Sequence, residues 1–224
     1  RAAENPNYDE VITLGLGGSS LAKLVEPTPG FSTSLWEKGD LWLGQHIIRV
    51  PADASSGTHY LTASSSSDNK LLLGLIDIKT PSRFFEKPSI SNSTQLFFGK
   101  DIVLSGHETK ARVMQGAMLE VKLLWQALNT PVTSLNSFVH LENINGDVVT
   151  QHDGIPANWS RPTPGWLPEE YIVDTHSILI TNTVLPGTYQ LYVGMSDRTT
   201  GVRETHTTIL SDDNRAHVGS VVIE

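Results

Sequence analysis

Pro162-Thr163-Pro164-Gly165-Trp166, continued by Asp174-Thr175-His176 and Leu185-Pro186-Gly187-Thr188-Tyr189, decides the fold, because the first half of the chain says the same thing in looser form. There Pro27-Thr28-Pro29-Gly30 is followed by Trp36, His46 and Ser56-Gly57-Thr58-His59-Tyr60. Trp36 and Trp166, His46 and His176, and Gly57 and Gly187 are each 130 positions apart. A further anchor set repeats at 145: Ser67-Asp68-Asn69-Lys70 with Leu73-Gly74 and Ile78 answers Asp212-Asp213-Asn214-Arg215 with Val218-Gly219 and Ile223. A constant offset held over several anchors is the signature of two copies of one module.

Outward from these anchors, the pattern is one of short strands. Val11–Leu14, Leu21–Val25, Leu41–Val50, Thr58–Ala63 and Leu71–Ile78 are apolar or β-branched runs bounded by Gly, Pro and Ser clusters in the first copy. The second offers Ile102–Leu104, Ala117–Ala127, Ser137–Leu141, Val148–Gln151, Tyr171–Val173, Ser177–Ile180, Thr188–Met195, Val202–Ile209 and Val218–Ile223, with Asn145-Gly146-Asp147 as a hairpin turn. No window carries a helical apolar stripe, and strands at this spacing predict an antiparallel sandwich. The expectation is an all-β chain of two tandem immunoglobulin-like β-sandwich modules. Residues 1–80 form a partial module, 81–95 a linker broken by Pro81 and Pro88, and 96–224 a complete module. The first copy shows no counterpart of the strands between Ile102 and Ala127, so it is expected to be either a cut-down sandwich with a thin core or one whose early strands lie upstream of Arg1. Phe84-Phe85 is expected to pack on a module face.

Composition narrows the function classes. A net charge of −8 over 224 residues, with no Lys/Arg run, speaks against nucleic acid and against an anionic membrane surface. The absence of cysteine removes disulfides, thiolate metal sites and thiol nucleophiles. No stretch has the apolar length of a transmembrane helix and the N-terminus has no signal-peptide pattern, so any addressing or anchoring segment is expected outside these residues.

Phe138-Val139-His140-Leu141, Gly146 through Gly154, Arg161-Pro162-Thr163 with Trp166, Asp174, and Leu185-Pro186-Gly187-Thr188-Tyr189 with Leu191-Tyr192-Val193-Gly194 resemble a β-sandwich module of bacterial cell-envelope proteins. In that family the module sits as an extracytoplasmic appendage on multi-pass proteins similar to dolichyl-phosphate-mannose or aminoarabinose-type glycosyltransferases. The resemblance covers residues 96–224 and, diluted, 10–79. It implies the fold and an extracytoplasmic location. It implies no transferase activity here, because that chemistry lies in a membrane-embedded part of such proteins. One departure stands out: the family has Pro-Gly-Glu after the tryptophan, the second copy has Pro168-Glu169-Glu170, and the first keeps Lys38-Gly39-Asp40. The tight turn is therefore expected to be altered in the second copy.

Three kinds of chemistry compete. His140, His152, Asp153, Asp174 and His176 are the residue types of a metal or acid–base cluster, but the first copy has Gly44 where Asp174 falls and nothing for Asp153. A shared metal site would repeat its ligands, so these residues read as structural and no cofactor is expected. Nucleophilic catalysis lacks a Gly-x-Ser-x-Gly elbow, and Gly15-Leu16-Gly17-Gly18 lacks the Lys-Ser/Thr of a phosphate loop. A metal-dependent or hydrolytic enzyme is the third reading. Carbohydrate binding is sharper: an aromatic face stacks on a sugar while polar groups pair its hydroxyls, and Trp159 lies in a loop beside Asn158, Arg161 and Asp153. Trp36 and Trp166 read as structural plugs. The leading expectation is a non-catalytic accessory, spacer or docking module whose partner is a glycan or another envelope protein; the alternative is a carbohydrate-binding module using Trp159.

Overall fold

A computed structural model describes residues 7–17, 19, 21–65, 70–206 and 213–224. Ser67, Asp68, Asn69 and Asp212 of the second anchor set lie outside these residues, as do the first six residues and Gly18. The chain divides into two compact units, Arg1–Pro81 and Ser82–Glu224.

The first unit holds β1 (Ile12–Leu16), β2 (Ala22–Val25), β3 (Gly57–Ser64) and β4 (Lys70–Ile78), antiparallel in the order β2-β1-β3-β4. The second holds β5 (Asn92–Phe98), β6 (Ile102–Thr109), β7 (Arg112–Val113), β8 (Met118–Ala127), β9 (Leu135–Glu142), β10 (Val148–Gly154), β11 (Tyr171–Leu179), β12 (Gly187–Asp197) and β13 (Ala216–Ile223). These make two sheets, β10-β9-β12-β13-β7 and β11-β8-β6-β5. All pairings are antiparallel except that of β7 with β13.

Alternation explains the second unit. In β8, Leu119, Val121, Leu123 and Trp125 are buried while Met118 and Glu120 face out; in β12, Tyr189, Leu191, Val193 and Met195 turn inward. The two inner faces close over a core that includes the wholly buried Trp125 and Trp166. The expected β-sandwich is present.

The repeat extends to hydrogen-bond detail. Thr33 and Thr163 each open a single 3-10 turn, and the amides of Trp36 and Trp166 bond back to them at 3.0 Å. Each threonine hydroxyl then clips a strand entry: Thr33 donates to Tyr8 O and accepts from Glu10 N, and Thr163 donates to Thr133 O and accepts from Leu135 N. The bulge is shared too, falling between Leu72 and Gly74 opposite Leu61/Thr62 and between His217 and Gly219 opposite Leu191/Tyr192. The order β2-β1-β3-β4 is thus the order β10-β9-β12-β13 of the second unit.

Several expectations need correction. Leu41–Val50 forms no strand; its β-rich sequence needs a ladder partner, since strand propensity expresses packing on neighbours more than a backbone preference. In the second unit the same segment is β11, paired along its whole length with β8. Of residues 81–95, read as a linker, all after Pro81 belong to the second unit: Tyr171 N donates to Phe84 O at 2.7 Å, and Asn92–Phe98 is an edge strand whose polar start hid it. Phe84 and Phe85 remain half exposed. Tyr171–Val173 and Ser177–Ile180 are one continuous strand up to Leu179. The described part of Val202–Ile209 makes isolated bridges, Arg203 to Ser196 and His206 to Phe98.

Candidate functional site

The polar groups of chemical interest converge where β10 ends and β11 runs past it. Between them, Ala157, Asn158 and Trp159 take φ of 55°, 51° and 67°, three successive non-glycine residues in the left-handed region. Trp159 N donates to Ile155 O at 3.0 Å, closing one left-handed turn. Such backbone costs roughly 1–2 kcal/mol per residue, so the surroundings must impose it.

They do so through buried groups. Ala157 N donates to Asp174 Oδ1 at 2.8 Å, and Asp174 Oδ2 accepts from Trp125 Nε1 at 3.2 Å and from His176 Nε2 at 3.0 Å. His176 Nε2 also lies 3.0 Å from Ser137 Oγ, and its Nδ1 faces the carbonyl and Nδ1 of His152 at 3.1 and 2.9 Å. Burial works to raise the Asp174 carboxyl, but the hydrogen bond and charge of His176 and the Ala157 amide outweigh it and hold the group below the usual carboxylate range. Burial, then the charge of His176, makes His152 a weaker base than usual.

This is not hydrolytic geometry. A Ser-His-Asp relay places nucleophile and carboxylate on opposite ring nitrogens, whereas here both meet Nε2, and Ser137 is wholly buried. No group of three or more His, Asp or Glu that could hold an ion occurs among the described residues. His140 lies on the outer face of its sheet, its Nε2 3.5 Å from Asp153 Oδ1. The cluster clamps the Trp159 turn.

Of the four residues read as a ligand site, the turn brings Asn158 and Trp159 together, both exposed, with Trp159 at 57%. One edge of the indole lies on Gly154, where a Cβ would come within 3.3 Å of it, and the Arg198 guanidinium stands 6.0 Å from the ring. Asp153 is on the strand, taken up by His140 and by Gln151 Nε2 at 3.1 Å. Arg161 is a correction. Its guanidinium is buried against Glu170 at 2.6 Å, and its carbonyl accepts from Trp166 Nε1, so it cannot bracket a ligand. Sequence neighbourhood misled here because the chain bends between Trp159 and Arg161 and sends the two side chains opposite ways.

Sequence reading missed the ion cluster behind Arg161. Glu170, wholly buried, takes Arg161 on Oε1 and Arg83 on Oε2 at 2.5 Å, and accepts from Leu167 N at 2.9 Å. The repeat held the signal: Asp40, 130 residues earlier, accepts from Glu37 N at 2.9 Å in the same turn. The expectation of an altered turn is also corrected. Glu169 adopts φ 63° where Gly39 has 97°, so the turn survives with a non-glycine residue in it. Elsewhere on the second unit, a cavity of about 340 Å³ opens beside Lys100, Asp101, Val132 and Glu204, lined by none of the four proposed ligand residues.

No family model matches the chain, and no curated protein does. Among solved structures, the C-terminal domain of Wzt aligns at a TM-score of 0.45 and 8% identity over 65% of this chain and 80% of that one. The CARDB domain of a Pyrococcus furiosus protein, in complex with di-metal ions, aligns at 0.32 and 15% over 60% and 97%. A Niemann-Pick type C2 protein from the Japanese carpenter ant aligns at 0.35 and 9% over 59% and 96%. With all three TM-scores below 0.5, what those proteins bind carries no weight for this chain.

Proposed function

We propose that the chain is a non-catalytic, extracytoplasmic accessory module of a bacterial envelope protein, working by docking. The observation that carries this reading is the use of Asp174, His176 and Ser137: the residue types that could do acid–base chemistry are buried and spent on holding a loop. The resemblance of Phe138–Gly194 to envelope modules supports the location. A panel of ester, glycoside and phosphoester substrates, offered with and without divalent metal, is expected to show no turnover. Turnover that vanishes in a folded His176→Ala variant would overturn the reading.

The turn itself favours a second reading, carbohydrate binding through Trp159. An indole presented half exposed on an imposed left-handed turn is preorganised for stacking. A glycan array read by tryptophan fluorescence is expected to give hits that Trp159→Ala weakens about tenfold or more with its melting curve unchanged. A blank array removes carbohydrate and leaves docking to protein.

A further inference from the structure

We propose that the cavity of about 340 Å³ on the second unit is a binding site for a free apolar α-amino acid, with its ammonium on Glu204, its carboxylate on Lys100 and its side chain on an apolar floor. The site shares no residue with the Trp159 turn, and the proposal rests on neither the docking reading nor the glycan reading.

Hydrogen bonds set the walls. β5 and β6 are joined by a tight turn at Gly99-Lys100-Asp101, with Gly99 at φ 57°. Gly99 N donates to Thr205 O at 2.7 Å and Glu204 N to Met195 O at 2.8 Å, so the stretch carrying Glu204 is tied both to this turn and to β12. On the other arm of the turn, Asp101 O accepts from Leu128 N at 2.7 Å and Asp101 Oδ1 from Asn129 Nδ2 at 3.1 Å, which ties it to the end of β8. Phe98, Ile102 and Leu135, each at most 3% exposed, form the floor, and Val132 stands at the mouth, 91% exposed. A cavity held in this way takes a ligand without paying to reorganise. Its volume is at the lower end of the roughly 300–1,000 Å³ of small-molecule sites, so the ligand is small.

Two charges of opposite sign line the cavity and do not pair with each other. Among the described residues, the side chains of Glu204 and Lys100 make no hydrogen bond or ion pair. Glu204 is nevertheless partly buried, and its Oε2 lies so close over Gly99 that a Cβ there would fall 2.8 Å from it. Gly99 thus leaves room for this carboxylate. A carboxylate partly withdrawn from water beside apolar side chains, with no donor to meet it, carries a cost that an arriving ammonium removes. Asp101 is less available, because its carboxylate already accepts from Asn129. Lys100, exposed on the same turn, supplies the charge for a carboxylate. A simple amine would leave Lys100 unused, a simple acid would face Glu204, and an uncharged sugar would answer neither. A zwitterion with an apolar side chain satisfies both charges and the floor.

The test titrates the intact chain with L-leucine and with L-phenylalanine, followed by amide NMR. Saturable shifts are expected at Gly99, Lys100 and Ile102, with a Kd of about 1 mM or below. L-phenylalaninamide, which lacks the carboxylate, and N-acetyl-L-phenylalanine, which lacks the ammonium, should each bind about tenfold more weakly. Glu204→Gln is expected to weaken L-phenylalanine about tenfold and to leave N-acetyl-L-phenylalanine unchanged. Lys100→Met should erase the preference for the acid over the amide. The absence of saturable shifts at these amides with either amino acid overturns the proposal. So does equal binding of either derivative, or a folded Glu204→Gln chain that binds L-phenylalanine as before. The two derivatives test the charges even where a variant fails to fold. None of these results bears on turnover or glycan binding, so the failures stay distinguishable.

Discussion

The two units run the same backbone program on unequal cores. Both have the 3-10 turn ending in tryptophan, the threonine clip, the left-handed residue before the turn acid, and one sheet in the same strand order. They differ in what lies opposite that sheet. The second unit closes it with β11-β8-β6-β5 and buries a large contiguous core; among the described residues of the first, the buried cluster is Leu16, Ala54 and Ile78. The turn chemistry is thus the same whether or not a second sheet is described opposite, because a turn satisfies its own hydrogen bonds while a sheet face needs a partner to exclude water.

The sharpest way to break this comparison is the turn acid. Glu170→Ala removes a buried carboxylate shared by two guanidinium groups of Arg161 and Arg83, each itself largely buried. Stranding buried charge costs about 3–5 kcal/mol. Asp40→Ala removes a carboxylate that accepts from Glu37 N at 2.9 Å and Trp42 Nε1 at 3.3 Å near solvent, worth about 0.5–1.5 kcal/mol. Denaturant unfolding of both variants checks it. Equal losses would mean that the ion cluster adds nothing beyond the turn.

Acid should find the second unit. His107, His152 and His206, all in that unit, are each made weaker bases by burial first. Folded, they bind protons less readily than the unfolded chain does at about pH 6.5, so the unfolded state gains protons first and stability falls as pH drops below that value. Asp174, depressed in the folded state, contributes stability above the ordinary carboxylate value near 4 that is lost as pH falls through its lower folded one. The melting temperature is expected to be flat from pH 8 to 7, to drop a few degrees by about pH 5.5, and to drop again below about 4. His152→Gln should shrink the first step. A melt that is flat down to about pH 5 would remove the histidines from the account.

What could be read in advance follows the range of the forces. Repeat anchors, strands with alternation and the Asn145-Gly146 hairpin are local, and they stood in the sequence. The edge strand Asn92–Phe98 did not, because half its residues face water and its composition imitates a linker. The Arg83–Glu170–Arg161 cluster spans 87 positions and no local pattern announces it. Nor does the left-handed turn at Ala157–Trp159, built without glycine and imposed by Asp174 from another strand. Trp159 was picked out because nothing in the pattern forced it inward; Arg161 was chosen for proximity, and the geometry removed it.

The finest difference between the copies is one residue in one turn. Gly39 and Glu169 occupy equivalent left-handed positions, at φ 97° and 63°. For glutamate that conformation costs roughly 1–2 kcal/mol, while a glycine there gives back about 0.4–1 kcal/mol through the freer unfolded chain. The hydrogen bond from Gln126 Nε2 to Glu169 Oε2 is exposed, at 3.2 Å, and adds little. The balance predicts that Glu169→Gly stabilises the second unit by about 0.5–1 kcal/mol, and that Gly39→Ala destabilises the first by a similar amount. Paired denaturation curves decide it, and opposite signs are the essential result. If both substitutions destabilise, the glutamate makes a contribution that outweighs its backbone strain, and the second copy's departure from Pro-Gly-Glu is a gain of interaction at a turn already held by Glu170.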